Sequence, residues 1–322
     1  MAKRIAITGA TGFVGRVVVD HLLAQGHTLA ALVRNAETAN LHPDVKTVVG
    51  DLKTPSALLE LAKNVDVVLH IAGAVTAISR SAYMDVNVAG TLAVAEAAKA
   101  FGVSRFVYVS SLAATEPTLN FYAESKSLAE KVLSTFQSDM NIAILRPAAI
   151  YGPGDTATLP LLQALMSRFA LIPGSAMAAF SMVHVEDVAR SLVEAALNTH
   201  VGTFELDDGG TGYSWPDLVA VTRQNFAVPQ RAFYIPRQIA LAVGHIGDVW
   251  VNVSGKPALV NSGQIKQIYH PDWRVKGQRW PLTLPIKLRD GLPQTIRWYQ
   301  AQGMLPMRGL QDKKPKQQDI LE

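Results

Sequence analysis

The chain has 322 residues, 49% of them hydrophobic and 17% charged, with a net charge of +4. That allows a large core, or a large and a small lobe sharing a cleft, and the basic balance is too mild to argue for a nucleic-acid partner. The absence of cysteine rules out disulfides, thiolate metal ligands and a cysteine nucleophile together, and fits a reducing, cytoplasmic setting.

From the N-terminus, Met1-Ala2-Lys3-Arg4 leads at once into a strand-like run and glycines, so no signal peptide is expected. Residues 4–8 read as a strand. Residues 15–25 read as a helix, with Val18, Leu22 and Leu23 on one face and Gly26 ending it. Strands follow at 29–33 and 45–49, a helix at 55–63, a strand at 65–71 and a helix at 89–101. A strand at 105–109, a helix at 125–136 and a strand at 141–145 complete the regular part. Repeated β–α units of this length predict an α/β fold, a doubly wound parallel sheet of the Rossmann type. Such sheets bind ligands at the C-terminal ends of their strands.

Beyond Tyr151 the pattern is less regular, although residues 181–197 and 203–206 still look like sheet-domain elements. The expected organisation is a Rossmann domain over residues 1–150 with 181–206 returning to it. A smaller, discontinuous substrate lobe covers 151–180 and 207–312, and the polar residues 313–322 form a disordered tail. No segment offers the roughly 18 uncharged apolar residues of a spanning helix. The nearest approach, 235–253, is interrupted by Arg237, His245 and Asp248 and is expected to pack in a lobe or lie along a surface.

Gly9, Gly12 and Gly15 follow the first strand and open the first helix, the context in which a glycine loop cradles a dinucleotide. Glycine permits close backbone approach, and the helix N-terminus offers free N–H groups to a pyrophosphate. Arg34 ends the second strand with no acid at Val33 or Asn35. A guanidinium there suits the 2′-phosphate of NADP, where NAD enzymes place an acid for the ribose 2′-OH. NADP is therefore favoured over NAD. Tyr122 and Lys126 lie four residues apart, one turn along a helix face. A nearby ammonium is expected to lower a phenol pKa and let the pair exchange a proton with a substrate oxygen. Ser110 and Ser111 end the fifth strand, where a hydroxyl can orient that oxygen. No metal site is expected.

Together these motifs resemble the extended short-chain dehydrogenase/reductases of the NAD(P)-dependent epimerase/dehydratase family. The resemblance runs through residues 8–15, Gly50-Asp51-Leu52, His70-Ile71-Ala72-Gly73, Asn87-Val88-Ala89-Gly90-Thr91, Tyr108-Val109-Ser110-Ser111, Tyr122-Ala123-Glu124-Ser125-Lys126, residues 145–154 and residues 183–189. It implies that Ser111, Tyr122 and Lys126 are catalytic, with Asn87 supporting them. It also implies that Gly9, Thr11, Gly12, Phe13, Val14 and Gly15 bind the cofactor, Asp51 and Leu52 bracket the adenine, and Ile71, Ala72 and Gly73 line the groove. Lys126 also holds the nicotinamide ribose, beside Tyr122. Pro147, Ala149 and Ile150 meet the nicotinamide end. By the same resemblance His70, His184 and Asp187 are structural, and a homodimer through sheet-domain helices is common.

The stretch after Ser111, Leu112-Ala113-Ala114-Thr115, departs from the sugar-nucleotide enzymes of the family. Residues 145–154 are closer to its hydroxysteroid-dehydrogenase and dihydroflavonol-reductase branch. Residues 159–166, Phe169, 171–173, Met177, Phe180, Met182 and 239–251 make the candidate substrate segments rather apolar. The expected function is NADP(H)-dependent reduction of a ketone, or oxidation of a secondary alcohol, on a hydrophobic lipid- or steroid-like molecule, with peripheral membrane contact. A nucleotide-sugar epimerase and a non-catalytic cofactor-binding scaffold are the alternatives.

Overall fold

The computed structural model describes residues 2–226, 228, 231–254 and 260–307. The tail expected at 313–322 lies outside them. The first half builds β1 (Arg4–Thr8), α1 (Phe13–Ala24), β2 (Thr28–Val33), α2 (Ala36–Ala39), β3 (Val45–Val49), α3 (Pro55–Ala62) and β4 (Val67–His70). It continues with α4 (Arg80–Tyr83), a π-helical turn (Met84–Ala89), α5 (Gly90–Ala100), β5 (Arg105–Val109), α6 (Phe121–Ser134) and β6 (Asn141–Pro147). Then come β7 (Ala149–Tyr151), α7 (Leu159–Leu165), β8 (Phe169–Pro173), β9 (Ala179–Phe180), β10 (Met182–His184), α8 (Val185–Leu197), β11 (Gly202–Leu206), β12 (Tyr213–Ser214) and α9 (Trp215–Asn225). The last elements are β13 (Arg231–Ile235), α10 (Arg237–Ser254), α11 (Ser262–Ile268), β14 (Asp272–Trp273) and α12 (Leu288–Ala301).

Seven strands form one sheet in the order β11-β6-β5-β4-β1-β2-β3, and every pairing is parallel. The apolar runs explain why: strands buried on both faces need helices on both sides. Val18, Val19 and Leu22 of α1 pack with Val188, Leu192 and Val193 of α8 on one face. Leu58, Val94, Ala98 and Leu133 from α3, α5 and α6 cover the other. Because all seven strands run the same way, their C-terminal ends meet at one edge, and the sequence motifs lie there.

Arg105 at the opposite edge is buried, which its place at the start of a strand does not announce. Its guanidinium donates to the Ala195 carbonyl at 2.6 and 2.8 Å and to the His200 carbonyl at 2.6 Å. It thus satisfies carbonyls left open at the end of α8. Burial brings its pKa down to about 10.

The outer lobe has its own core, in which Leu162, Leu165, Met166, Ile172 and Met182 pack with Leu218, Leu292 and Ile296. Of these, Leu162, Leu165, Met166, Ile172 and Met182 fall in the apolar segments that, taken as a set, pointed to a hydrophobic substrate, while lobe core is the ordinary reading of each one singly. They are the filling of the lobe, while Phe169, Leu171 and Met177 point outward. Helix α10 packs on α11 with Gly244 so close to Ser262 that a Cβ would lie 2.9 Å from its Cα.

Candidate active site

The glycine loop is shaped by contact. Gly9 has φ +80°, and a Cβ there would stand 2.7 Å from the Ala72 nitrogen. A Cβ on Gly15 would meet the Gly9 carbonyl oxygen at 2.0 Å. The β1–α1 turn is thus folded onto the start of the β4 loop, leaving no room for side chains. Gly12 caps α1 without a side-chain hydrogen bond, so the first-turn amides of Phe13, Val14 and Gly15 have no intrahelical partner. That cradle fits an anionic dinucleotide. Arg16 ties the loop in place, donating to the carbonyls of Thr11, Ala39 and Asn40. Arg34 is exposed at the end of β2, and its charge helps hold the Asp51 carboxyl below its usual range, after hydrogen bonds from Thr54 and the Lys53 amide. Leu52 lies against Gly90, where a Cβ would come within 2.8 Å of its side chain. Ile71 and Ala72 both donate their amides to the Thr8 carbonyl at 3.1 Å. Pro147, Ala149 and Ile150 follow at the end of β6 and in β7. All the expected cofactor residues therefore lie along one edge of the sheet.

Helix α6 starts at Phe121, four residues before the expected 125, because Asn120 caps it: its side-chain oxygen accepts from the Ala123 amide at 2.8 Å. Tyr122 therefore sits in the first turn and Lys126 one turn on. The two strand-end serines separate cleanly. Ser110 is buried and donates to Glu130, which is also paired with Arg146. Ser111 shares a hydrogen bond with the Tyr122 hydroxyl.

Lys126 is buried and turns its ammonium to the Val109 carbonyl at 2.9 Å and the Tyr108 hydroxyl at 3.3 Å. Burial lowers its pKa to about 8, partly opposed by the charge of Glu130. The expected depression of the Tyr122 pKa is reversed. Burial raises it, the Ser111 hydrogen bond opposes that rise, and Tyr83 adds to it. Burial is the dominant cause, and the Lys126 ammonium points to Tyr108 and Val109.

Behind Lys126 runs a buried polar chain that the sequence motifs contain but whose connection they do not reveal. His70 Nδ1 and Thr8 Oγ1 are 2.5 Å apart, and His70 Nε2 is 3.0 Å from Thr91 Oγ1. Thr91 Oγ1 donates to the Asn87 carbonyl at 2.6 Å. Its hydroxyl must therefore accept from His70, which places the ring proton on Nε2 and makes Nδ1 the acceptor from Thr8. Tyr108 hydrogen-bonds to Thr91 as well and stacks on the His70 ring at 5.5 Å. Burial first, and the Lys126 charge second, push the His70 pKa down to about 3, so the imidazole is neutral.

Asn87 lies on the π-helical turn, a distortion that often marks functional positions. Its side chain accepts from the Ala74 amide at 2.7 Å and donates to the Ala74 carbonyl at 3.0 Å and to Ser125 at 2.8 Å. It braces the β4 loop against α6. Gly73 sits between the two polar side chains, where a Cβ would be 3.0 Å from Lys126 Nζ and 3.1 Å from Asn87 Oδ1.

Tyr122 opens onto a groove of about 880 Å³. One wall is α6 with α4 and the loop after β4, contributing Val75, Tyr83 and Leu128; the other is α10 and α11, contributing Asp248, Val251 and Gln267. Asn120 spans the walls, donating to the Gly263 carbonyl at 3.1 Å and Gln267 Oε1 at 3.0 Å. Of the apolar segments expected to meet substrate, only the end of residues 239–251 reaches the groove. Among the described residues there is no cluster of side chains fit to hold a metal ion, and no helix is long and apolar enough to cross a membrane.

The family model for the NAD dependent epimerase/dehydratase family matches residues 5–205, and the chain belongs to that family. It is 38% identical to a ceramide reductase of Caulobacter vibrioides, over 94% of this chain and 96% of that protein. It is 29% identical to a 2-alkyl-3-oxoalkanoate reductase of Shewanella oneidensis, over 74% of this chain and 70% of that one. Its fold is shared with a UDP-glucose 4-epimerase of Thermotoga maritima, with a TM-score of 0.71 at 18% identity, covering 93% of this chain and 99% of that chain. The protein is thus an oxidoreductase of the short-chain dehydrogenase/reductase type.

Proposed function

We propose that the protein is an NADPH-dependent ketoreductase acting on a lipid of the ceramide type. The observation that carries the reading is the Ser111–Tyr122 hydrogen bond at the head of the groove. A phenol that keeps its proton at neutral pH is an acid, ready to give that proton to the oxygen of a ketone being reduced. Relatives named as reductases support the same direction.

The glycine loop from Gly9 to Gly15, with Thr11, holds the pyrophosphate, and Asp51 and Leu52 border the adenine. Arg34 meets the 2′-phosphate. Ile71, Ala72 and Gly73 line the groove of the dinucleotide, and Pro147, Ala149 and Ile150 close its nicotinamide end. A nicotinamide cofactor held by these residues would supply the hydride for the carbonyl carbon. Ser111 and Tyr122 hold the carbonyl oxygen, and Tyr122 protonates it as negative charge develops. Lys126 has one N–H left after Tyr108 and Val109, and that donor serves the ribose. Asn87 is a positioning residue, since its amide is spent on Ala74 and Ser125.

The test is NADPH oxidation with a 3-oxo-ceramide in mixed micelles, beside UDP-glucose. Turnover of the lipid ketone is expected. Interconversion of the nucleotide sugar without net NADPH consumption, and no lipid turnover, would replace this reading with an epimerase.

A further inference from the structure

Helix α10 has two faces. Gly244 packs on Ser262 of α11, while Asp248 and Val251 line the groove. On the opposite side Ile239, Val243, Ile246, Trp250 and Val253 recur at intervals of four and three residues, which aligns them along one stripe. All are exposed; Ile246 is 71% and Val253 82% accessible. The helix has 18 residues, about 27 Å of length. The ribbon that leads into it adds to this surface: Phe169 and Leu171 of β8 and Phe233 of β13 are exposed, and the Phe169 and Phe233 rings lie 6.2 Å apart.

Charge says what this surface fits. Arg168 and Arg231 stand together at one end of the ribbon, the Arg231 amide donating to the Arg168 carbonyl at 3.1 Å. Arg237 stands at the other end, where α10 begins. All three are exposed, and none makes an ion pair among the described residues. Across β8, β13 and α10 the one acid is Asp248, and it is turned inward, accepting from the Ser262 amide at 3.2 Å. An apolar stripe carrying a tryptophan and bordered by unpaired arginines is the pattern of a helix lying in the interface of an anionic bilayer.

We propose that α10 and the β8–β13 ribbon dock this protein on the surface of an anionic phospholipid bilayer, with the inner face of α10 turned to the groove that leads to Tyr122. The proposal rests on the reading of the substrate as a lipid ketone, since a bilayer is where such a molecule resides. The helix would lie on the membrane without crossing it. Substrate would then pass from the acyl layer around α10 to the groove without entering bulk water.

The test is co-sedimentation of the purified full chain with phosphatidylcholine vesicles, with and without phosphatidylglycerol. Binding to the anionic vesicles that weakens with salt is expected. Ile246→Glu and Val253→Glu should each lower the partition coefficient about tenfold or more, and Arg231→Gln with Arg237→Gln should remove the preference for anionic lipid. The melting temperature should stay unchanged, as should kcat on a short, water-soluble ketone. Failure of the wild type to bind vesicles overturns the proposal. So does unaltered vesicle binding by Ile246→Glu when size-exclusion shows that variant dissociating a dimer, which would make the stripe a contact between two copies of this chain. Vesicle binding is read without turnover. Intact binding with no reduction of the lipid ketone would overturn the proposed reaction and leave this surface standing.

Discussion

The two walls of the groove are built on opposite principles. The α6 wall stands in front of a buried polar chain, from Lys126 through Tyr108 and Thr91 to His70 and Thr8, in which each member is hydrogen-bonded to the next. The α10–α11 wall is a helix pair whose outer side is exposed and whose link to α6 runs through Asn120. Satisfied buried networks are rigid and tolerate little change. Surface helices with few buried contacts open at low cost. On the proposed reaction, the difference would place precision where the proton moves and latitude where the substrate enters.

Four substitutions bear on that contrast. Tyr122→Phe removes the proton donor and should lower kcat about a thousandfold while the fold persists; near-wild-type turnover would move the chemistry off the α6 wall. Thr91→Val breaks the chain at its branch point, leaving His70, Tyr108 and the Asn87 carbonyl each short of a partner. A stability loss of about 1–3 kcal/mol in urea unfolding is expected, and no loss would mean that the wall is not held from behind. The third prediction concerns pH. Lys126 loses its proton at about 8 in the folded chain, but near 10.4 when unfolded. In that window the unfolded chain holds more protons, so stability rises with pH. The melting temperature of the wild type relative to Lys126→Met should therefore climb from pH 8 toward 10, and a flat difference would show the ammonium to be solvated. The smallest effect belongs to the other wall. Asn120→Asp keeps a cap for α6 but loses the donors to Gly263 and Gln267. KM should rise a few-fold, about threefold to tenfold, with kcat unchanged. A fall in kcat instead would mean that the two walls act as one body.

Much of the first wall was legible. The strands at 4–8, 45–49 and 105–109 fall where the apolar runs predict them, because a buried parallel strand needs little besides β-branched and aromatic residues between turn signals. Ser111, Tyr122 and Lys126 meet at one edge because a parallel sheet gathers strand ends. The onset of α6 was misjudged by four residues, although Asn120 is an ordinary capping residue ahead of it. What Lys126 does was not legible, since its partners Tyr108 and Val109 come from a strand seventeen and more residues away and are set by packing. The second wall was legible only as a pattern: the stripe from Ile239 to Val253 is visible in the sequence, but the sequence does not say which side of it faces the groove. The apolar residues of 159–182 could be read either way for the same reason, because a lobe core and a lipid site are written in the same residues.

The π-helical turn at Met84–Ala89 has a consequence for inheritance. A π-turn holds one residue more than an α-helix needs over the same span. Deleting that residue would leave a better helix by every local measure, yet it would rotate Asn87 away from Ala74 and Ser125 by about 100°. A shorter, more regular gene product would therefore fold readily and lose the brace on which α6 is registered. Length at this point is information, and a single-residue deletion here should be harder to tolerate than most substitutions of the residues around it.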